Sequence, residues 1–210
     1  MKPLVVACGA LASELRAVLS ANGLTERVEV RYLPANLHNR PERIVPALET
    51  LLAVEGALQP DTGELERPVV VGYADCGTAG ALDAFLADHP GATRLDGAHC
   101  YEMFAGSELF AELHHDEPGT FYLTDFLAKH FDALVWSGLG LDRHPELRDT
   151  YFGNYQRVVF ISQVDEPTTA AAARAAAEQL GLAFEHRHVG LDPFAATIAT
   201  AVSVTVRSGA

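Results

Sequence analysis

The chain has 210 residues, of which 49% are hydrophobic and 20% charged, so it is long and apolar enough to bury a sizeable core. Its formal net charge of −13 argues against a nucleic-acid-binding protein, which presents a basic surface to phosphates, and against binding to an anionic membrane. Apolar runs stay well short of the roughly 20 residues that cross a bilayer. The N-terminal stretch reads as a strand rather than a signal peptide, so we expect a cytoplasmic protein.

Short apolar runs alternate with amphipathic segments along the whole chain. The apolar runs predict strands at 3–7, 28–33, 68–73, 133–139, 157–163 and 183–190. The amphipathic segments predict helices at 9–23, 39–53, 79–89, 102–115, 124–131 and 168–181, and a last one from residue 193. Pro46 lies inside the second of these helices and predicts a kink or a late start there.

Strands that alternate with helices at this spacing indicate βαβ units. The sequence therefore predicts the α/β class: a mainly parallel, Rossmann-like sheet with helices on both faces. We expect a single α/β domain over residues 1–210, built from two related halves at about 1–115 and 116–210. Ligands of such sheets bind beyond the carboxyl ends of the strands.

The three cysteines are expected near the carboxyl ends of strands, where ligands of parallel sheets bind. Cys8 and Cys76 each end a predicted strand and precede a glycine, and Cys100 lies just before a predicted helix. A helix N-terminus carries partial positive charge and stabilises a thiolate, which is the form that binds a metal or attacks a substrate. We therefore expect the three sulfurs to share one site, although a buried cysteine is as often plain core filler.

Three convergent thiolates suit either zinc or a [4Fe–4S] cluster with one open coordination position. The sequence contains neither C-x-x-C nor H-E-x-x-H, so spacing alone selects no metal. His99 is a candidate fourth metal ligand. His38, Asp75 and Glu102 are candidate proton carriers, and for Asp75 and Glu102 the alternative is an ordinary turn or helix-capping role.

A second polar stretch, at 138–157, follows the strand predicted at 133–139 and is expected at the same edge. Its candidate substrate-binding residues are Asp142, Arg143, Arg148, Tyr151 and Asn154. An arginine there would clamp a carboxylate or phosphate. The alternative is a helix that begins at a proline and carries solvated charges. We expect His114, His115, His186 and His188 to be surface histidines.

Six motifs carry a family resemblance from about residue 4 to about 190. They are CGALASEL, LPANLHNRPERI, VGYADCGTAGALD, RLDGAHCYEMFAG, EPGTFYLTDFLAKHFD and GLGLDRHPELRDTYFGNYQRVVFISQ. In this order they resemble the domain of unknown function 1638 family. Members are often encoded beside corrinoid methyltransferases, so the resemblance implies one-carbon or methyl-group metabolism. The cysteine arrangement is also similar, in architecture only, to that of quinolinate synthase, whose three cysteines hold an open [4Fe–4S] cluster.

Three functional hypotheses remain open at this point. The first is a metal- or cluster-dependent enzyme, a lyase or transferase, that acts on a small polar substrate with Cys8, Cys76 and Cys100 as ligands. The second is a non-catalytic accessory protein that handles a metal or a corrinoid for a methyltransferase partner. The third is a metal-free enzyme with Cys76 as its nucleophile.

Overall fold

The computed structural model describes residues 1–59 and 61–208, so Pro60, Gly209 and Ala210 of the predicted domain lie outside the described residues. The chain divides into two compact units. The first comprises Met1–Met103 and the C-terminal segment from Phe194, and the second comprises Phe104–Pro193. Each unit has its own sheet of parallel strands.

The first unit contains a four-stranded sheet in the order β2-β1-β3-β4. Its strands are β1 (Leu4–Cys8), β2 (Glu29–Leu33), β3 (Val69–Gly72) and β4 (Ala92–Arg94). Its helices are α1 (Ala12–Ala21), α2 (Ile44–Val54), α3 (Ala81–Asp88) and α4 (Cys100–Ala105), the last of which ends in the second unit, and most of α9 (Asp192–Ser208) also belongs here. The buried strands are runs of apolar residues because a parallel sheet is covered by other elements.

Two glycines allow close approach at the carboxyl ends of these strands. A Cβ on Gly72 would lie 2.7 Å from the Cβ of Ala7, its partner in the register of β3 with β1. A Cβ on Gly9 would lie 3.0 Å from the backbone oxygen of Leu33, the last residue of β2. Any larger side chain at either position would push the strand ends apart.

The second unit contains a three-stranded sheet in the order β5-β6-β7. Its strands are β5 (Thr120–Thr124), β6 (Arg157–Ser162) and β7 (Ala183–His188). Its helices are α5 (Ser107–Asp116), α6 (Asp125–Lys129), α7 (Arg148–Phe152) and α8 (Pro167–Leu180). The side chains of β6 after Arg157 are all buried, as expected of the central strand.

The predicted α/β class is confirmed, with the parallel strands divided between two sheets. Helix α2 begins only at Ile44, after 3-10 turns at Ala35–Asn39 and Pro41–Arg43, which agrees with the late start predicted from Pro46. The helix predicted at 102–115 is two helices, because Gly106 at φ 78 and ψ 148 interrupts it. The short strand β4 was not predicted.

The strand predicted at 133–139 is wrong. Residues Asp132–Trp136 form a π-helical turn, in which the Ser137 N–H donates to the Asp132 oxygen and the Leu141 N–H donates to the Trp136 oxygen. A short apolar run has the same composition in a buried strand and in a helical turn, so its pattern does not distinguish them. Within the described residues, no helix is both long enough and apolar enough to span a membrane.

Candidate functional site

The carboxyl edge of the first sheet gathers the predicted cysteines and histidines. Cys8 ends β1, and the loop after the neighbouring strand β3 carries Cys76. The loop after β4 carries His99 and leads to Cys100, the first residue of α4. On the other side of β1, the 3-10 turn after β2 carries His38. All four strands of the sheet therefore deliver chemically active side chains to one edge, because parallel strands end on the same side.

Backbone hydrogen bonds join two of these loops. The Asp75 N–H donates to the Gly97 oxygen at 3.2 Å, and the Cys76 N–H donates to the Ala98 oxygen at 2.9 Å. A Cβ on Gly77 would lie 3.6 Å from the ring of Pro41, so the loop after β2 reaches the same place. The three loops thus form one connected surface around Cys76.

Cys76 has an unusual backbone conformation. Its φ of 50° and the φ of 53° at Ala79 lie in the left-handed region, where L side chains are disfavoured by about 1–2 kcal/mol. Gly77 and Gly80 adopt the same region without that cost. Conformations of this kind persist only where surrounding contacts impose them, and they are frequent at functional sites.

The three thiols are partly buried and influence one another electrostatically. The pKa of Cys76 is raised to about 11, mainly by burial, and a negative charge on Cys8 contributes to the increase. Burial also raises the pKa of Cys100, with added contributions from Cys76 and Cys8. The predicted thiolate stabilisation by helix N-termini is wrong for this structure, because the loss of solvent outweighs it.

Tyr73 brings a further polar group to this edge. Its side chain is 2% exposed, and its hydroxyl is buried without a well-formed hydrogen bond. Burial is the main cause that raises its pKa above the ordinary range, followed by the charge of Cys8 beside it. The Cys8 thiol is a side-chain partner of this hydroxyl. A thiol is a weak hydrogen-bonding group, so the hydroxyl retains the capacity to bind a stronger donor or acceptor.

His38 and His99 are also near each other. The pKa of His38 is lowered, first by desolvation of its ring among the loops and then by the charge of His99. His38 is nevertheless exposed at the surface. A histidine with a lowered pKa is neutral at pH 7, which is the form that accepts a proton or binds a metal.

Asp75 and Glu102 have structural roles here. The Asp75 carboxylate accepts hydrogen bonds from the Thr78 hydroxyl at 2.9 Å and from the N–H groups of Gly77 and Gly80. Burial by itself would raise the pKa of Asp75, but these hydrogen bonds outweigh it and lower the pKa. Glu102 accepts the N–H of Ala98 at 2.9 Å. Both carboxylates therefore organise the loops that carry Cys76 and Cys100.

The thiols do not form a ligand cluster as they stand. Within residues 1–59 and 61–208, no group of three or more His, Cys, Asp or Glu side chains is arranged to hold a metal ion. The chemical types at this edge suit a soft metal, whereas the present side-chain positions do not enclose one. Ligation by all three sulfurs would require side chains or loops at the edge to move.

The polar stretch at 138–157 follows a π-helical turn rather than a strand. It belongs to the second unit. The Arg148 guanidinium binds the Leu180 oxygen at the C-terminus of α8, and the Asn154 oxygen is next to Gly119, just before β5. The stretch is therefore at the amino end of its own sheet, and the strand from which its location was predicted is wrong. Asp142, Arg143, Tyr151 and Asn154 are exposed, and their substrate-binding role stays a prediction.

The sequence analysis missed a polar cluster at the carboxyl edge of the second sheet. Asp125, directly after β5, accepts the N–H groups of Gln163 at 2.8 Å and Val164 at 3.0 Å. Both Asp125 Oδ1 and Gln163 Oε1 are buried without a hydrogen-bond partner. Next to Gln163, the hydroxyl of Ser162 contacts two histidines of β7. The sequence did contain a signal for this cluster: Asp125 lies at the start of the helix predicted at 124–131, and Ser162 lies near the end of the strand predicted at 157–163.

The fold and the edge together define an α/β protein with two parallel sheets and cysteines at the carboxyl edge of the first. The chain belongs to the DUF1638 family, described as a protein of unknown function, whose sequence model matches residues 32–198. Cys76, Cys100, His38 and His99 lie inside the matched residues, and Cys8 precedes them. No curated protein and no solved structure matches the chain.

Proposed function

We propose that the carboxyl edge of the first sheet binds a metal centre, either zinc or [4Fe–4S], through Cys8, Cys76 and Cys100. The protein would then be an enzyme that acts on a small polar substrate at the open coordination position of that centre. The observation that carries this proposal is the delivery of three cysteines by the neighbouring strands β1, β3 and β4 to one connected set of loops. The assignment of this substrate to one-carbon or methyl-group metabolism depends on the family resemblance alone.

The donor set supports a soft or borderline metal. Thiolates prefer zinc and iron–sulfur clusters over magnesium or calcium. Cys8 and Cys76 pack against the apolar core of the first unit, which would limit the access of water to a bound centre. Three protein ligands leave one position for substrate, which is the arrangement of catalytic rather than structural metal sites. When bound, such a centre would supply Lewis-acid activation.

The residues around the thiols divide into two groups. His38 and His99 are the better candidates for a fourth ligand or a proton carrier, because both are at the edge and His38 is held neutral. Asp75 is a poor proton carrier, since its hydrogen bonds stabilise the carboxylate. The buried Tyr73 hydroxyl would hydrogen-bond a ligand or a bound substrate beside Cys8.

The metal-free alternative, with Cys76 as a nucleophile, is less favoured. A thiol with a pKa of about 11 is almost entirely protonated at pH 7, and the protonated form attacks poorly. An accessory protein that carries a metal or a corrinoid for a methyltransferase would use the same edge, so metal loading without turnover would indicate that role.

Metal analysis of the whole chain, purified without oxygen, tests the proposal. We expect a brown protein with about four irons and matching sulfide per chain, or a colourless one with about one zinc. Single Cys8→Ser, Cys76→Ser and Cys100→Ser variants should each lose most of that metal. Ala98→Ser is a matched control, because it introduces the same hydroxyl into the exposed loop before Cys100 and should retain the metal.

Two results would count against the proposal. One is a well-folded wild-type protein, verified by circular dichroism, that contains neither metal and takes up neither after incubation with iron and sulfide or with zinc. The other is a cysteine variant that retains its full metal content, which would remove that residue from the ligand set.

A further inference from the structure

Two histidines of the second unit converge on one buried hydroxyl. His186 and His188 are two residues apart on β7, so their side chains share one face of the strand. Their partners in the register of β6 are Phe160 and Ser162. The Ser162 Oγ lies 2.8 Å from His186 Nε2 and 3.0 Å from His188 Nδ1. Two ring nitrogens are therefore held within hydrogen-bond distance of the same atom.

One imidazole is enough to satisfy this hydroxyl. Ser162 is fully buried, and its single proton goes to one ring nitrogen, while the N–H of the other ring donates to its oxygen. Both histidines are exposed to solvent, although their partner is not. Ser162 therefore needs only one of the two imidazoles as a hydrogen-bond partner, and both rings are accessible to an ion from solvent.

Neighbouring side chains hold the His186 ring in place and provide other partners for the nearby arginines. The ring of His186 stacks on Phe160 with centroids 4.8 Å apart. On the opposite face of β7, Glu185 pairs with Arg187 at 2.6 Å and with Arg157 at 2.8 Å. On the histidine face, Arg174 lies over the Phe184 ring at 4.5 Å, two residues before His186. Each arginine thus has a partner other than the two imidazoles.

We propose that His186 and His188 form a binding site for a divalent transition-metal ion of the Ni²⁺, Cu²⁺ or Zn²⁺ class. Neutral imidazole nitrogens bind these ions at about 2.0–2.1 Å. Because both nitrogens lie within 3.0 Å of the Ser162 oxygen, rotation of the two rings away from Ser162 would let them bind one ion. Ser162 holds the two rings close together in the metal-free protein, and water would complete the coordination of the ion. The site lies on the second sheet and does not depend on the proposed cysteine site.

Titration of the untagged full-length chain with Ni²⁺, followed by NMR of the imidazole protons, tests this site. Paramagnetic Ni²⁺ should broaden the signals of His186 and His188 at substoichiometric addition, before those of the other histidines. Calorimetry should show binding that is at least about tenfold weaker in His186→Gln and in His188→Gln. Glutamine keeps a hydrogen bond to Ser162, so loss of Ni²⁺ binding would not be explained by the lost contact.

His115→Ala provides the control, because His115 is an exposed histidine on α5 next to another histidine and should leave the affinity unchanged. Binding by the cysteines would appear as nickel–thiolate absorption that disappears in Cys76→Ser, so the two sites are distinguishable. In Cys76→Ser, first broadening at other histidines, or affinity that is unchanged in both glutamine variants, would overturn the proposal. The NMR result for Cys76→Ser decides the matter even if a glutamine variant fails to fold.

Discussion

At the scale of single residues, burial decides the chemistry of Cys76. Loss of solvent is the largest contribution to its pKa of about 11, and backbone hydrogen bonds from Ala74 and Cys100 offset only part of it. In metal-free protein, alkylation of Cys76 by iodoacetamide should therefore accelerate about tenfold per pH unit between pH 7 and 10, as the thiolate fraction grows. Peptide mass spectrometry measures the rate, and a plateau below pH 9 would contradict this assignment.

The left-handed backbone conformation of Ala79 leads to a second prediction for a single residue. Ala79→Gly should leave the free energy of unfolding unchanged or raise it by up to about 1 kcal/mol, because glycine relieves the left-handed conformation at φ 53. The matched control is Ala84→Gly, at an exposed position inside α3, which should lower stability by about 1 kcal/mol. Urea denaturation compares the two variants, and equal losses would show that Ala79 is not strained.

At the scale of elements, Asp125 ties the start of α6 to the loop after β6. Asp125→Ala leaves the N–H groups of Gln163 and Val164 without their acceptor and should cost about 2–4 kcal/mol of unfolding free energy. Asp125→Asn retains an acceptor oxygen and should cost less than about 1 kcal/mol. Urea denaturation at pH 7 measures both, and similar losses in the two variants would show that the hydrogen bonds are not the cause.

The same carboxyl has a predictable pH dependence. Burial raises the pKa of Asp125 above 3.8, and the opposing hydrogen bonds and Lys129 do not cancel it. A raised folded-state pKa means that the native state binds the proton more tightly than the unfolded chain. The contribution of Asp125 to stability is therefore greatest below pH 3.8 and declines as the pH rises through the folded-state pKa. Asp125→Asn should remove this decline from the pH profile of unfolding.

At the scale of the whole molecule, the chain returns to its first unit through α9. Phe194, Ile198 and Val202 on this helix are at most 2% exposed, and the Thr205 hydroxyl lies 3.1 Å from that of Thr93 in β4. Burial of each large apolar side chain contributes about 1.5–3 kcal/mol, so the loss of all three would be comparable with the 5–15 kcal/mol net stability of a typical domain.

Truncation of the chain after Pro193 should therefore unfold the first unit. We expect the amide NMR signals of β1 and β3 to lose their dispersion in the truncated protein. The control is the full-length variant Glu42→Gln, which changes a charge at an exposed position and should keep the dispersed spectrum. A truncated protein with the dispersed spectrum of the full chain would show that α9 is dispensable for the first unit.

The sequence by itself determined the α/β class, most of the strands and helices, and the location of Cys8 at a strand end, Cys76 in a loop after a strand and Cys100 at a helix start. These features are local, since hydrophobic periodicity and glycine positions act within a few residues. Tertiary structure decided the π-helical turn at 132–136, the division into two sheets and the return of α9 to the first unit. It also decided that burial raises the thiol pKa values and that Ser162 meets two histidines from the next strand. Those outcomes depend on neighbours that are distant in the chain, and a local pattern does not encode the burial or the contacts that such neighbours impose.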